Sequence, residues 1–251
     1  MSPIEVGCIV LACVFGGALL GMVIHKMLPE PHLSAESKDV IKLGMGLIAT
    51  MSALVLALLT NSAKGSYDAQ RNELTQAAAN ILLVDRVLAH YGPEAKQARD
   101  LLKLSVAGMI DTLWPDDPAA NAKLGPTNAR GELFFDQIQE LKPQNDVQRA
   151  LQAQALKMSI DIGQARLLLF EQSARSIPMP FLVLLIFWVS VIFLSFGLFA
   201  PHNATVVVTL FLCALSVSGA IFLIMELDQP FTGVVRISSA PLRKAIDIID
   251  K

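Results

Sequence analysis

Charge is what this sequence has least of. Only 17% of its 251 residues are Asp, Glu, Lys or Arg, where a soluble domain carries about a quarter. The 20 basic and 22 acidic residues nearly cancel, leaving a net charge of -2. Such a chain has no basic excess to hold a nucleic-acid backbone, so nucleic acid is not expected as a partner. Intrinsic disorder needs low hydrophobicity and high net charge, and at 53% hydrophobic residues both are missing. Cysteine is also scarce. Cys8, Cys13 and Cys213 all lie in apolar runs, where a thiol acts as a small apolar side chain and a disulfide framework has no place. No P-loop, zincin helix, nucleophile elbow or dinucleotide fingerprint occurs. Neither a cofactor nor enzymatic chemistry is therefore expected.

What is present is hydropathy, averaging +0.53 and concentrated in four stretches. Val6 to Ile24, Lys42 to Lys64, and the two halves of Ser176 to Met225 lack internal charge. The last run is broken by Ala200-Pro201-His202-Asn203. About 20 residues at roughly 1.5 Å each cross a hydrocarbon core of about 30 Å. The expected spans are 6–27, 41–61, 180–199 and 204–225. A cleaved signal peptide would need a positive start, and Met1 to Val6 offers only Glu5, so the first span reads as a retained anchor. A soluble helix would need a polar face, and Phe181 to Phe199 has only Ser190 and Ser195.

Lysine and arginine near the span ends predict orientation. One side holds Lys64, Arg71, Arg166, Arg175, Arg236, Arg243 and Lys244; the other holds Lys26, Lys38 and Lys42. Seven against three places both termini in the cytoplasm. The expected architecture is an all-α membrane protein with four transmembrane helices in two pairs and an inserted helical cytosolic domain. Its parts are 1–61, the first pair; 62–179, the cytosolic domain; 180–225, the second hairpin; and 226–251, a cytosolic tail.

Residues 62–179 keep helical periodicity. Leu74, Ala78, Ile81, Asp85 and Leu88 continue the second span until Gly92-Pro93. Further helices are expected over Pro93–Leu113, 131–141, and along the stripe Val147, Leu151, Ala155, Met158, Ile162, Ala165 and Leu169. The extension of the second span either couples a cytosolic event to a pore or is a rigid stalk. In the tail, Val234, Ile237, Leu242, Ile246 and Ile249 form an amphipathic segment, broken by Pro241, for the membrane surface or the cytosolic helices.

The second span carries the sharpest pattern. Gly46, Thr50, Ala53, Ala57, Thr60 and Lys64 follow spacings of four, three, four, three and four, which puts small and weakly polar groups on one face. Such a face lines a water-filled path or packs closely against another helix. A ring of Lys64 at the inner mouth of a pore would favour anions, with Asp68 and Glu73 near enough in sequence to oppose it. Cys13, Gly17 and Gly21 in the first span, and Cys213, Ser216, Ser218 and Gly219 in the fourth, are expected at helix contacts. No metal site is expected. Glu226 and Asp228 are too few for calcium and read as a helix end or salt bridge. His25, His32 and His202 lack metal-like spacing. Ser34 reads as the cap of the second span's helix.

Several blocks carry a resemblance. They are Leu28 to Leu47 (LPEPHLSAESKDVIKLGMGL), Ser62 to Gln70 (SAKGSYDAQ), Asp85 to Gly92 (DRVLAHYG), Ser195 to Thr205 (SFGLFAPHNAT) and Arg236 to Leu242 (RISSAPL). Through them the chain resembles the bestrophin-like family of bacterial membrane proteins, which supplies no catalytic motif and no site residues. The layout is similar to that of the bestrophins, oligomeric ion channels with two spans, a helical cytosolic portion, two more spans and a tail. That likeness implies a multi-pass homo-oligomer in the lipid bilayer of a bacterial inner (plasma) membrane, with small inorganic ions as the permeant species and the second span lining the pore. The chain departs from bestrophins in two respects. Its second span has no Phe, Tyr or Trp for an aromatic neck, and it lacks the acidic run of a calcium clasp. The alternative is a non-conducting membrane scaffold or sensor whose cytosolic helices bind a partner.

Overall fold

The computed structural model describes residues 2–29, 35–114, 129–173, 177–201 and 203–249, without the side chains of 35–37 and 170–173. Among these residues every regular element is helical. The order is α1 (Pro3–Met27), α2 (Ala35–Tyr91), a short 3-10 turn (Pro93–Ala95), α3 (Lys96–Leu113), α4 (Ala129–Gln139), α5 (Asp146–Ser173), α6 (Met179–Phe199), α7 (Ala204–Leu227) and α8 (Ala240–Ile249). Four of them, α1, α2, α6 and α7, are long and apolar enough to cross a membrane.

The helix ends follow local chemistry. Ser2 and Glu5 form a capping box at the start of α1, with Pro3 in the first turn. Asn203 Oδ1 accepts from the Val206 amide, 2.8 Å away, and opens α7. α2 runs unbroken for 57 residues and stops at Gly92, whose φ of 128° is a conformation that glycine adopts without strain. Ser34, expected to cap α2, and most of the connection between α3 and α4 lie outside the described residues.

The chain forms two compact units. One comprises Met1–Ser66 and Ser176–Asp228; the other comprises Tyr67–Arg175 and Gln229–Lys251. In the first, α1 buries Val6, Val10, Val14, Ala18 and Met22, one residue per turn, beside Leu182 and Leu185 of α6 and Ala214 and Ile221 of α7. In the second, Leu74, Ile81 and Leu88 of α2 share a core with Leu102 and Val106 of α3, Phe134 and Ile138 of α4, and Ala155 and Leu169 of α5. Gln152 of α5 closes the far end of α4. Its amide donates to the carbonyls of Ile138 at 2.8 Å and Leu141 at 2.9 Å, groups a helix end otherwise leaves open.

The tail departs from expectation. Pro241 does not break it but sits in the first turn of α8, where the missing amide hydrogen costs nothing. Ile237, Leu242, Ala245 and Ile249 are buried in the core of the second unit, so the segment packs on helices. Trp114 anchors it by donating to the Ile237 carbonyl at 2.8 Å and meeting the Phe231 ring edge-on.

Candidate functional site

α2 presents three distinct faces within the membrane-spanning unit. Ser52, Leu59 and Ala63 are buried, with Met45, Ile48 and Val55 half-buried in line with them. A second face carries bulky apolar side chains, Leu43, Leu47, Leu54 and Leu58, each more than 60% exposed. The third is the small-residue stripe. Gly46, Thr50, Ala53, Ala57, Thr60 and Lys64 are all exposed. A helix turn of about 100° per residue accounts for the separation, since the stripe runs one position on from the buried row.

The stripe's hydroxyls are satisfied locally. Thr50 donates to the Gly46 carbonyl at 2.9 Å and Thr60 to the Leu56 carbonyl at 2.8 Å, leaving their oxygens outward as acceptors. Gly46 has open space where a Cβ would stand, as does Gly65 next to Lys64. Contacts with described residues therefore do not account for the lack of a side chain at Gly46. Gly46 also borders an apolar cleft of about 470 Å³ between α2 and α6, with Lys42, Met45, Phe196 and Phe199 around it. Of the four spans α2 is the least covered. Its most apolar window is 11% buried, against 33%, 39% and 22% for α1, α6 and α7.

The small residues of α1 behave differently. A Cβ on Gly21 would collide with the Leu194 carbonyl, and one on Gly17 would lie 2.9 Å from the Ser190 carbonyl oxygen, so α6 passes directly over both. Gly197, on the α6 side of the same crossing, meets the Ala18 carbonyl. Sequence reading missed Gly197. The signal was there, because an interior helical glycine costs about 1 kcal/mol relative to Ala and calls for a reason. Cys13 is exposed and lies off this contact, since steps of four residues drift about 40° round the helix each time. In α7, Ser218 donates to the Gly7 carbonyl at 2.6 Å, whereas Cys213 and Ser216 are exposed. His25 Nδ1 lies 2.6 Å from the Leu198 carbonyl oxygen; His32 and His202 fall outside the described residues.

At the end of α7, Glu226 is 2% exposed. Asp228 accepts from the Ile177 amide at 3.0 Å and so ties the start of α6 to the end of α7. Burial raises the Asp228 carboxyl above the usual carboxylate value, and the Ile177 amide only partly opposes that. Charge elsewhere is mostly surface. Among the described residues, Asp85 in α2 and Arg99 in α3 form a partly buried fork, at 2.6 and 3.1 Å.

Comparison with known proteins follows the same lines. The family model of the bestrophin-like domain matches residues 12–242. No curated protein matches the chain. Among solved structures, two point variants of a bacterial bestrophin homolog from Klebsiella pneumoniae share the fold. One is 15% identical with a TM-score of 0.71, covering 100% of this chain and 96% of that one. The other is 15% identical with a TM-score of 0.69, covering 97% and 96%. A further structure of that homolog, phased on zinc, is 14% identical with a TM-score of 0.66, covering 95% and 94%.

Proposed function

The chain belongs to the bestrophin-like family, and from that premise we propose that it is an oligomeric ion channel of the bacterial inner membrane, with α2 lining the central axis. The observation that carries this reading is the uncovered small-residue face of α2. Gly46, Thr50, Ala53, Ala57, Thr60 and Lys64 are exposed on an otherwise apolar span. No described residue comes within 4 Å of where a Cβ on Gly46 would stand. Threonine oxygens and a lysine on one face suit water along a symmetry axis. Close approach of neighbouring copies uses the same small residues. The excess of Lys and Arg around 62–179 and the tail supports cytoplasmic termini. The helical unit of 67–175 and 229–251 is then cytosolic, and small inorganic ions are the permeant species.

Oligomer stoichiometry tests the proposal directly. Native mass measurement of the detergent-solubilised protein should give a ring of at least four copies, and a structure of that ring should show a continuous axial opening beside α2. A monomer or dimer leaves no axis to conduct through. That outcome would favour a non-conducting scaffold whose cytosolic helices bind a partner.

A further inference from the structure

A cavity of about 440 Å³ lies wholly within the unit built from 67–175 and the tail, a size typical of small-ligand sites. Its walls are apolar, with Ile81 from α2, Leu102 and Met109 from α3, and Phe134 from α4. α5 turns Gly163 and Arg166 towards it, three residues apart and so on one face. Gly163 is exposed at the cavity's rim, and a Cβ there would meet nothing within 4 Å.

The charges around this cavity are not matched to one another. Arg166 is half-buried and makes no hydrogen bond or ion pair with any described residue. Burial alone acts on its guanidinium, pulling it below the usual arginine value, and no carboxylate offsets that. Glu132 and Asp136, one turn apart on α4, border the same cavity on its exposed side. Their side chains, too, have no ion-pair partner among the described residues. A desolvated cation is unfavourable until an anion reaches it. A simple anion is opposed by the two carboxylates, and a simple cation by the arginine.

We propose that this cavity binds a small amphipathic zwitterion, with its carboxylate on Arg166, its ammonium on Glu132 and Asp136, and its apolar part against Ile81, Leu102 and Phe134. An α-amino acid with an apolar side chain has all three parts. Arginine takes a carboxylate through a planar fork, which fixes orientation as well as charge. The site does not depend on whether the chain conducts.

The test is isothermal titration of the full-length protein in detergent with three probes. L-phenylalanine carries both charges, 3-phenylpropionate lacks the ammonium, and phenethylamine lacks the carboxylate. Saturable binding is expected for phenylalanine and at least tenfold weaker binding for the other two. Arg166→Gln should weaken phenylalanine at least tenfold, and Gly163→Leu, which fills the open space, should abolish its binding. Should Arg166→Gln fail to fold, the exposed double variant Glu132→Gln, Asp136→Asn serves instead and should erase the preference for phenylalanine over 3-phenylpropionate. Absence of saturable phenylalanine binding, equal affinity for 3-phenylpropionate, or binding indifferent to both Gly163→Leu and the charge variants would overturn the assignment.

Discussion

Gly197 of α6 lies so close to the Ala18 carbonyl of α1 that no side chain fits between them. Gly21 and Leu194 repeat the relationship one turn away. Backbones this near gain van der Waals contact along the whole crossing, the main source of attraction between helices already in lipid. Gly197→Ala should therefore force α1 and α6 apart and destabilise the membrane unit by about 1–3 kcal/mol, the usual cost of overpacking. Thermal unfolding in detergent reads this as a lowered midpoint. Gly16→Ala is the matched control, because a Cβ there meets nothing within 4 Å. Its midpoint should stay or rise, alanine being favoured over glycine in a helix by about 0.5–1 kcal/mol. Equal losses in the two variants would show that the crossing is not what holds these helices.

The Asp85–Arg99 fork gives a prediction for the second unit. Asp85 keeps 12% of its side chain exposed and Arg99 33%, so water screens the pair only in part. Asp85→Ala strands Arg99 beside an apolar core and should cost about 1–3 kcal/mol. A double-mutant cycle with Arg99→Met isolates the pair, and its coupling energy should exceed about 0.5 kcal/mol. Additive effects would mean that the pair contributes orientation and no stability.

How these features relate to the sequence depends on the interaction involved. The four spans were legible because about 20 uncharged residues in a row have few soluble uses. The continuation of α2 to Tyr91 was legible because a three-four stripe runs on until Gly92. Pro241 misled because proline was read as a breaker without asking whether its amide was needed; in the first turn of α8 it was not. Asp85 stood out only as the polar member of an apolar stripe. Its partner lies 14 residues on, past a turn whose geometry periodicity does not encode. Gly197 sits in an unbroken apolar run, where hydropathy carries no information about which face meets a neighbour. The spacing of Gly46, Thr50, Ala53, Ala57, Thr60 and Lys64 was visible from the start. Periodicity alone could not say that every residue of this face is exposed.

Asp228 makes stability depend on pH in a defined direction. Its folded carboxyl titrates above the ordinary carboxylate value because burial disfavours the anion. The folded state thus holds a proton that the unfolded state releases first. The contribution is fully present below the unfolded value and is lost as pH rises through the folded one. Asp228→Asn has no proton to lose and keeps an oxygen for the Ile177 amide. Its unfolding midpoint should lack the decline that the parent shows just above the carboxylate range, and at neutral pH it should be at least as stable. Asp228→Ala removes the acceptor and should fall below Asn at every pH. A parent profile parallel to that of Asp228→Asn would mean that this carboxyl titrates normally.

Lys64 gives the proposed conduction a testable sign, with Asp68 and Glu73 close enough in sequence to oppose it. It is exposed on the small-residue face of α2, so copies arranged about an axis would form a ring of positive charge at one end of the path. In a narrow, poorly screened mouth such a ring concentrates anions and repels cations. Lys64→Glu should move the reversal potential of reconstituted bilayers under a salt gradient towards the cation limit, and Lys64→Gln should fall between. The effect should be largest at low ionic strength, because the screening length shrinks from about 30 Å at 0.01 M to about 10 Å at 0.1 M. Conduction with unchanged selectivity in both variants would take Lys64 out of the path. Loss of the ring itself, seen as a smaller assembly by mass, would instead assign this face to contact between copies.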